Sequence, residues 1–188
     1  ITAHDSEQGI LTVHAGEEAQ YTEVELASNA STSAESDDRV VVQHGERSGA
    51  FVVAGDGTAS VNEDGNVVAN LSSESTLVVR SYEGERDEAD RQQEQLIANG
   101  TATAQVYVEE QGSARVADVA TFSEDLTVET QSEADGQVQM TVERASSEGT
   151  VVITSVSDGA IAAAESTEDV SVQIDGEAAA SASSYSEL

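Results

Sequence analysis

The chain has 188 residues, and its 37 Asp and Glu against seven Lys and Arg give a formal net charge of −30 at pH 7. This excess of carboxylates argues against nucleic acids and anionic membranes as partners, because both repel a negative surface. The chain has no cysteine, which excludes disulfide bonds and thiolate metal sites. No segment approaches the roughly 18 consecutive apolar residues of a membrane helix, so no membrane span is predicted.

The apolar residues favour strands. Valine occurs 24 times and leucine seven times, and β-branched side chains fit pleated sheets better than helices. Uninterrupted apolar runs predict strands buried on both faces at 40–42, 51–53, 77–79 and 151–153. Alternation of apolar and polar residues predicts strands with one dry and one wet face at 21–26, 138–143 and 170–175.

Turn signals follow at short spacing. Asp-Gly, which suits the positive φ angles of tight hairpins, occurs at 56–57, 64–65, 135–136, 158–159 and 175–176. Two of these dipeptides predict hairpins, which would span 61–68 and 126–142. The pattern predicts an all-β fold, mainly an antiparallel β-sandwich or a small barrel.

Residues 85–98 interrupt the strand pattern and predict one short surface helix. The segment is rich in helix formers and has opposite charges four residues apart, Arg86 with Asp90 and Asp87 with Arg91. We expect this helix to join two strand-rich halves of a single β-rich domain over 1–188.

The end of the predicted helix is marked by Asn99-Gly100, a common helix stop. Any seam between the two halves should therefore lie at 84–100. Near the end of the chain, Ser184 and Glu187 have the spacing of a helix capping box. From this we expect that the native protein continues beyond residue 188.

The kind of cation is as informative as the net charge. The chain has no lysine, and its seven cations are Arg39, Arg47, Arg80, Arg86, Arg91, Arg115 and Arg144. With its dense Asp and Glu and its small apolar Val and Ala, the composition resembles that of haloarchaeal proteins. The resemblance implies a halophilic, extracellular or cell-surface protein. An acidic disordered tail is the alternative, against which the regular valine runs argue.

Three of the five asparagines lie in Asn-x-Ser/Thr sequons, namely Asn29, Asn70 and Asn99. A glycan transferase reads this motif, so the three positions predict surface-exposed N-glycosylation. Chance matching in a chain rich in serine and threonine is the alternative. The haloarchaeal resemblance favours glycans, since surface proteins of that kind are often glycosylated.

Oxygen ligands in two turns make Asp56, Asn62, Asp64 and Asn66 weak candidates for a Ca²⁺ or Mg²⁺ site. The EF-hand spacing is not met, and a solvated hairpin turn is the alternative. We expect diffuse association of Ca²⁺, Mg²⁺, K⁺ or Na⁺ with the acidic surface in preference to a specific site. No other cofactor is predicted.

Catalytic signatures are missing from the sequence. His4, His14 and His44 are scattered, without the His-Glu-x-x-His spacing of a zinc helix. There is no Gly-x-Ser-x-Gly nucleophile elbow and no glycine-rich phosphate loop. Carboxylates are too abundant for any pair of them to indicate glycoside cleavage. The chain is therefore predicted not to be an enzyme.

We expect a non-catalytic, self-assembling component of a filament, sheath or surface layer, with β-edge pairing between copies. A weak similarity to archaeal β-sandwich pilus subunits implies that Ile10, Leu11 and Val13 form a strand donated to a second copy. Pairing of that strand within its own chain is the alternative. The other function hypothesis is an adhesion module, or a ligand- or cation-binding β-sandwich, of a larger surface protein.

Overall fold

The computed structural model describes residues 2–5, 10–83, 85–111, 114–123, 126–132, 138–144, 151–156, 173–174 and 177–178. The first nine strands are β1 (Thr2–Asp5), β2 (Ile10–His14), β3 (Gln20–Val24), β4 (Ser31–Ser36), β5 (Arg39–His44), β6 (Arg47–Ala54), β7 (Gly57–Val61), β8 (Val67–Leu71) and β9 (Thr76–Glu83). They are followed by α1 (Glu88–Ala98), β10 (Ala102–Gln111), β11 (Ala114–Thr121), β12 (Leu126–Ser132), β13 (Val138–Arg144), β14 (Val151–Val156), β15 (Gln173–Ile174) and β16 (Glu177–Ala178).

The central layer is a six-stranded antiparallel sheet in the order β1-β2-β9-β6-β5-β4. Its inner strands carry the uninterrupted apolar runs, and Val52, Val53, Leu77 and Val78 are fully buried. Successive residues of a strand point to opposite faces, so this burial means that both faces of the sheet are covered. The predicted burial on both faces is confirmed for the strands at 51–53 and 77–79. At 40–42 it is confirmed for one face only, because Val41 is half-buried.

One face of the central sheet packs against a three-stranded sheet in the order β3-β8-β7. Phe51, Val53 and Leu77 of the central sheet meet Val67 and Leu71 of β8 in one core cluster. Strand β3 alternates between exposed and half-buried residues, which confirms the predicted wet and dry faces of this segment.

The other face of the central sheet is covered by elements from the second half of the chain. Val52 and Val78 pack in one cluster with Ile97 of α1, Ala120 of β11 and Phe122. Residues on both sides of the predicted seam therefore share a buried core.

Helix α1 confirms the predicted short helix but begins three residues later. Asp87 is its N-cap and forms a capping box with Asp90, whose backbone N–H donates to Asp87 Oδ1 at 2.7 Å. The Asn99 C-cap and Gly100, with φ +71°, end the helix as predicted. The expected pairing of Arg86 with Asp90 is wrong, because Arg86 precedes the helix and binds Glu35 and Glu94 instead.

The second half forms a smaller packed pair. Strands β11, β10 and β14 make a sheet in that order, in which β14 runs parallel to β10. The β12-β13 hairpin covers one face, where Val128 and Met140 pack against Val106 and Val108. Leu126 pairs with Arg144 and Val128 with Val142, so the predicted hairpin is confirmed.

Two predictions about strand burial in this half, both faces at 151–153 and one face at 138–143, are only partly right. The run 151–153 is not buried on both faces, because β14 lies at a sheet edge and Val151 is 41% exposed. In β13, Met140 is half-buried as expected, but Val142 at the hairpin's outer strand is 42% exposed. Sheet order, which periodicity does not reveal, decides both outcomes.

Turn geometry bears out one Asp-Gly prediction and corrects another. Val61 pairs with Val67 across a turn in which Gly65 has φ +83°, as predicted for the first hairpin. At 56–57 the positive φ falls on Gly55, at +92°, and the predicted positive φ at Gly57 is wrong. Gly57 instead begins β7, where an added Cβ would lie 2.6 Å from the Asn70 carbonyl oxygen.

Over the residues that the structure describes, the predicted all-β, sandwich-like fold with one short helix is confirmed, and the sheets are open. Strands β15 and β16 pair antiparallel, with Gln173 opposite Ala178 and Ile174 opposite Glu177. The Asp-Gly dipeptides at 135–136, 158–159 and 175–176, residues 170–172 and the capping-box residues Ser184 and Glu187 lie outside the described part.

Candidate functional site

Among the described residues, the densest set of charged contacts lies where the start of α1 meets the central sheet. Glu94 of α1 is fully buried, and Arg86 donates to it from Nε and Nη2, both at 2.6 Å. Arg86 also donates from Nη1 and Nη2 to both Glu35 carboxylate oxygens, at 2.9 and 2.7 Å. Such double bidentate geometry is the strongest form of Arg–carboxylate contact.

Two further side chains complete this network. The Tyr82 hydroxyl donates to Glu94 Oε1 at 2.8 Å, and Arg39 Nη1 lies 3.4 Å from Glu94 Oε2. Arg39 Nε also lies 3.4 Å from Glu35 Oε2. The network thus ties α1 to β4, β5 and β9, although Glu35 and Glu94 are 59 positions apart (94 − 35) in the chain.

The contacts of the network shift the pKa values of Glu35, Arg86 and Tyr82. Hydrogen bonds from Arg86 lower the pKa of Glu35 despite its partial burial. Burial lowers the pKa of Arg86, but hydrogen bonds to Glu35 and Glu94 outweigh it and raise that pKa overall. Burial raises the pKa of Tyr82, and the Glu94 carboxylate raises it further.

Beside the network, Arg80 is 3% exposed and donates from Nη2 to Gln93 Oε1 at 2.6 Å. Its guanidinium lies 5.1 Å from the centre of the Tyr82 ring, a cation–π contact. Among the described residues, its Nε and Nη1 meet no hydrogen-bond acceptor.

The metal candidates occupy two separate turns. Asn62 Oδ1 accepts from the backbone N–H groups of Asp64 and Asn66, and Asn66 Oδ1 accepts from that of Leu26. Asp56 precedes β7, whereas the other three candidates follow it. The part of the chain that the structure describes contains no group of three or more His, Asp or Glu able to hold a metal ion.

All three sequon asparagines are exposed. Asn29 Oδ1 lies 2.9 Å from His44 Nε2 in the loop before β4. Asn99 Oδ1 accepts from the Thr101 backbone N–H at 3.0 Å. Asn70 lies on the outer face of β8, the middle strand of its sheet. Glycosylation of these positions stays a prediction.

The predicted donor strand lies within its own chain. Strand β2 is placed between β1 and β9, with Leu11 opposite Val79 and Val13 opposite Leu77. Ile10 is 1% exposed, so the strand is part of the core in this single chain.

The histidines with described side chains do not come together. His14 Nδ1 lies 2.8 Å from Thr76 Oγ1 inside the fold, whereas His44 is exposed beside Asn29. For His4, in β1, the structure describes the backbone but not the side chain. A cleft of about 240 Å³ near His44 is lined by Val42, Phe51 and Val79. Its volume is below the roughly 300–1,000 Å³ of ordinary small-molecule sites.

The chain matches no protein family model, no curated protein and no solved structure.

The surface that stands out for interaction is the β14 edge, which we define as Val151–Val156. This strand has the sequence VVITSV, and no charged residue occurs from 149 to 157. Val151 and Val156 are 41% and 37% exposed. Within the described residues β14 pairs only with β10, and no described strand pairs with its other side. An unpaired edge of this kind is a template for pairing with another chain.

The other edges of the three larger sheets are protected. Strands β1, β3, β4 and β11 each contain at least one charged residue. Strand β7 has none, but the Ala59 N–H donates to the Asp37 carbonyl at 2.8 Å, so its edge meets the β4-β5 turn. An uncharged edge with exposed valines thus contrasts with the other edges of these sheets, and the alternation of apolar and polar residues does not predict it. The charge-free stretch in the sequence was the signal that could have found it. The one helix described is too short and too polar to cross a membrane.

Proposed function

We propose that the protein is a non-catalytic, self-associating subunit of an extracellular assembly in a halophile, and that two copies pair through their β14 edges. The observation that carries this proposal is the uncharged, valine-exposing edge strand in a chain of net charge −30. Edge strands without charges are templates for pairing with another chain.

The geometry of β14 suits such pairing. The Val151 N–H donates towards β10, to the Thr101 carbonyl at 3.3 Å. Because backbone groups alternate along a strand, the N–H and C=O groups of Val152, Thr154 and Val156 point to the open side. Antiparallel pairing of two β14 strands would satisfy them and cover the exposed valines of both copies.

Repulsion between two negatively charged copies also favours contact through the β14 edge. Two chains that each carry −30 repel one another, and the repulsion per contact is smallest where neither copy contributes a carboxylate. In about 1 M salt or more the screening length is about 3 Å, so distant charges no longer oppose the contact. Pairing of identical edges is isologous and gives a closed dimer, which we take as the repeating unit of the assembly.

Thr154→Glu places a carboxylate at the exposed centre of β14 and should convert the dimer to a monomer. In an antiparallel pair of β14 strands, the two new carboxylates would lie close to each other across the contact, and like charges in such positions destabilise strand pairing. Analytical ultracentrifugation of the full chain in about 3 M KCl, where screening is strong, measures the change. We expect the dissociation constant of the dimer to rise at least tenfold, which corresponds to about 1.4 kcal/mol.

Thr127→Glu on β12 is the matched control, because Thr127 is equally an exposed threonine in a strand. It should leave the dimer intact. A monomeric wild-type chain at high concentration in brine, or equal weakening by both variants, would contradict the proposal.

Strand donation by Ile10, Leu11 and Val13 is a second mode of assembly that needs its own test. The chain has no cysteine, so a Leu11→Cys, Val79→Cys variant carries one pair of thiols placed opposite each other. We expect oxidation to give an intrachain disulfide and a monomer on a denaturing gel, because β2 is already paired on both sides. Covalent ladders would show instead that the strand is donated. Leu11→Cys alone controls for chance oxidation.

A further inference from the structure

Tyr21 is a conspicuous residue on the outer face of the β3-β8-β7 sheet. It is 63% exposed, the largest exposure among the large hydrophobic residues that the structure describes. It lies directly opposite Asn70, the sequon asparagine of β8. Directly opposed residues of an antiparallel pair have Cβ atoms about 4.5–5.5 Å apart on the same face, so the two side chains are neighbours.

The Tyr21 ring is held in place. Its hydroxyl donates to Glu23 Oε2 at 3.3 Å, on the same face of the same strand. Glu23 Oε1 accepts from Asn62 Nδ2 at 2.8 Å and from Asn66 Nδ2 at 3.0 Å. These contacts, that from Asn66 first, lower the pKa of Glu23. Glu23 is thus an ionised, fixed acceptor, and an exposed aromatic ring that is ordered in advance loses little entropy on contact.

Asn70 differs from the other two sequon asparagines. Asn29 and Asn99 direct their amide oxygens to His44 and to the Thr101 backbone, respectively. The Asn70 side chain makes no hydrogen bond to any described residue, and it is exposed. Its neighbour on the other side, Thr58 of β7, is also exposed and small. There is therefore open space above Asn70, with an aromatic ring on one flank.

We infer that Asn70 carries an N-linked glycan and that Tyr21 is the platform on which its first pyranose sugar stacks. This assigns a role to a residue outside the sequon, and it is independent of the β14 edge, which lies on another sheet. The negative face of an aromatic ring attracts the weakly positive C–H groups on one side of a pyranose. The attachment to Asn70 supplies a high effective concentration of the sugar, so the contact needs little affinity of its own.

The covalent step is an ordinary glycosyl transfer. Asn70 Nδ2 forms a bond with C1 of the first sugar, while the bond from C1 to a phosphate oxygen of a lipid-linked saccharide donor breaks. The lipid phosphate leaves with the bonding electrons, and the amide nitrogen releases one proton. A cellular transferase catalyses this step, and nothing in it requires a group from the folded chain other than the sequon.

The test uses the full chain, secreted from a haloarchaeal host that also glycosylates a reporter sequon. Glycopeptide mass spectrometry measures occupancy at Asn70, and NMR follows the sugar C–H signals. We expect Asn70 to be occupied and its first sugar to show upfield, ring-current-shifted signals. These shifts should vanish in Tyr21→Ala and persist in Tyr21→Phe, which keeps the ring and loses only the hydroxyl.

A thermal double-mutant cycle gives a second readout. Tyr21→Ala should lower the Tm of the glycosylated chain by about 2–4 °C more than it lowers that of the Asn70→Gln chain. In the Asn99→Gln chain, which lacks a different sequon, Tyr21→Ala should lower the Tm as much as it does in the fully glycosylated chain.

Three outcomes would overturn the inference. Asn70 could be unmodified while the reporter sequon is occupied. Asn70 could carry a glycan whose signals ignore Tyr21. Free monosaccharide could bind the unglycosylated chain at Tyr21 as well as the attached glycan does, which would indicate a saccharide-binding site for external ligands. None of these results depends on whether the chain forms dimers, so failure here is distinct from failure of the β14 proposal.

Discussion

Replacing Glu94 by Gln should destabilise the protein by about 3–5 kcal/mol, the usual effect of breaking a buried ion pair from one side. Glu94 is fully buried and accepts charge-assisted bonds from Arg86 and a hydrogen bond from Tyr82. For a chain of this size, the Tm should fall by roughly 6–20 °C. Urea unfolding in about 3 M KCl, followed by circular dichroism, measures the change, since buried pairs are screened far less than exposed ones.

The direction of this effect is diagnostic. Removing one negative charge from a chain of net charge −30 should by itself relieve repulsion and stabilise the fold slightly. Glu46→Gln, at an exposed position in the β5-β6 turn, is the matched control and should show no loss of stability, because exposed charges are strongly screened at this salt concentration. Equal effects of the two substitutions would show that the buried network contributes nothing.

A second comparison separates charge pairing from packing. Glu94→Met leaves Arg86 buried with only Glu35 as its partner, whereas the double variant Arg86→Met, Glu94→Met removes both charges. Apolar residues of similar volume often replace a buried pair without loss, so the double variant should be more stable than Glu94→Met alone. Additive losses would instead mean that each side chain acts through its own packing.

Periodicity and turn chemistry predict much of this fold because their causes are local. The runs at 51–53 and 77–79 are buried on both faces because β-branched residues fill both sides of a central strand. The Asp64-Gly65 hairpin forms because Gly65 tolerates a positive φ that closes a tight turn. The stop of α1 at Asn99-Gly100 follows from the same tolerance at Gly100.

Features that depend on sheet order and long-range pairing escape this reasoning. Val151 belongs to a run like that at 51–53, yet its strand lies at an edge, and the apolar pattern is the same in either place. Glu94 is a charged residue in a predicted surface helix, and its burial depends on Arg86 and on Glu35 from a distant strand. The one available sign was the concentration of three of the seven arginines at 80, 86 and 91.

The sites predicted from short motifs depend on both local sequence and long-range pairing. The sequence identifies Asn70 as a sequon, but only the strand register places Tyr21 opposite it. The turn residues Asn62 and Asn66, taken as weak metal candidates, use their amide groups to hold Glu23 and the turn backbone. A motif supplies the chemistry that is available, and the fold determines which neighbours compete for it.

The placement of the arginines also bears on salt dependence. Arg39, Arg80 and Arg86 are wholly or largely taken into the network and its surroundings, with Arg80 and Arg86 buried. The surface thus keeps few cations to offset its carboxylates. Removing salt lengthens the range of the remaining repulsion from about 3 Å at 1 M to about 30 Å at 0.01 M. Over that range, carboxylates on all faces of a small domain act on one another.

Dialysis from about 3 M KCl into dilute buffer at pH 7 should therefore unfold the protein, with loss of the β-sheet signal in circular dichroism. Acid tests the cause. At pH about 4, where Asp and Glu are roughly half protonated, the chain should refold in dilute buffer because the repulsion is relieved. The pKa of Glu35 is lowered in the fold, so its contribution to stability is present above the unfolded pKa and is lost only as the pH falls through the folded pKa.

Sucrose, which favours burial without screening charge, should restore less structure than KCl at neutral pH. If the circular dichroism spectrum does not change with salt, or if sucrose restores the β-sheet signal as well as KCl does, the stability comes from the valine cores alone. The proposal that this protein is adapted to high salt would then be wrong.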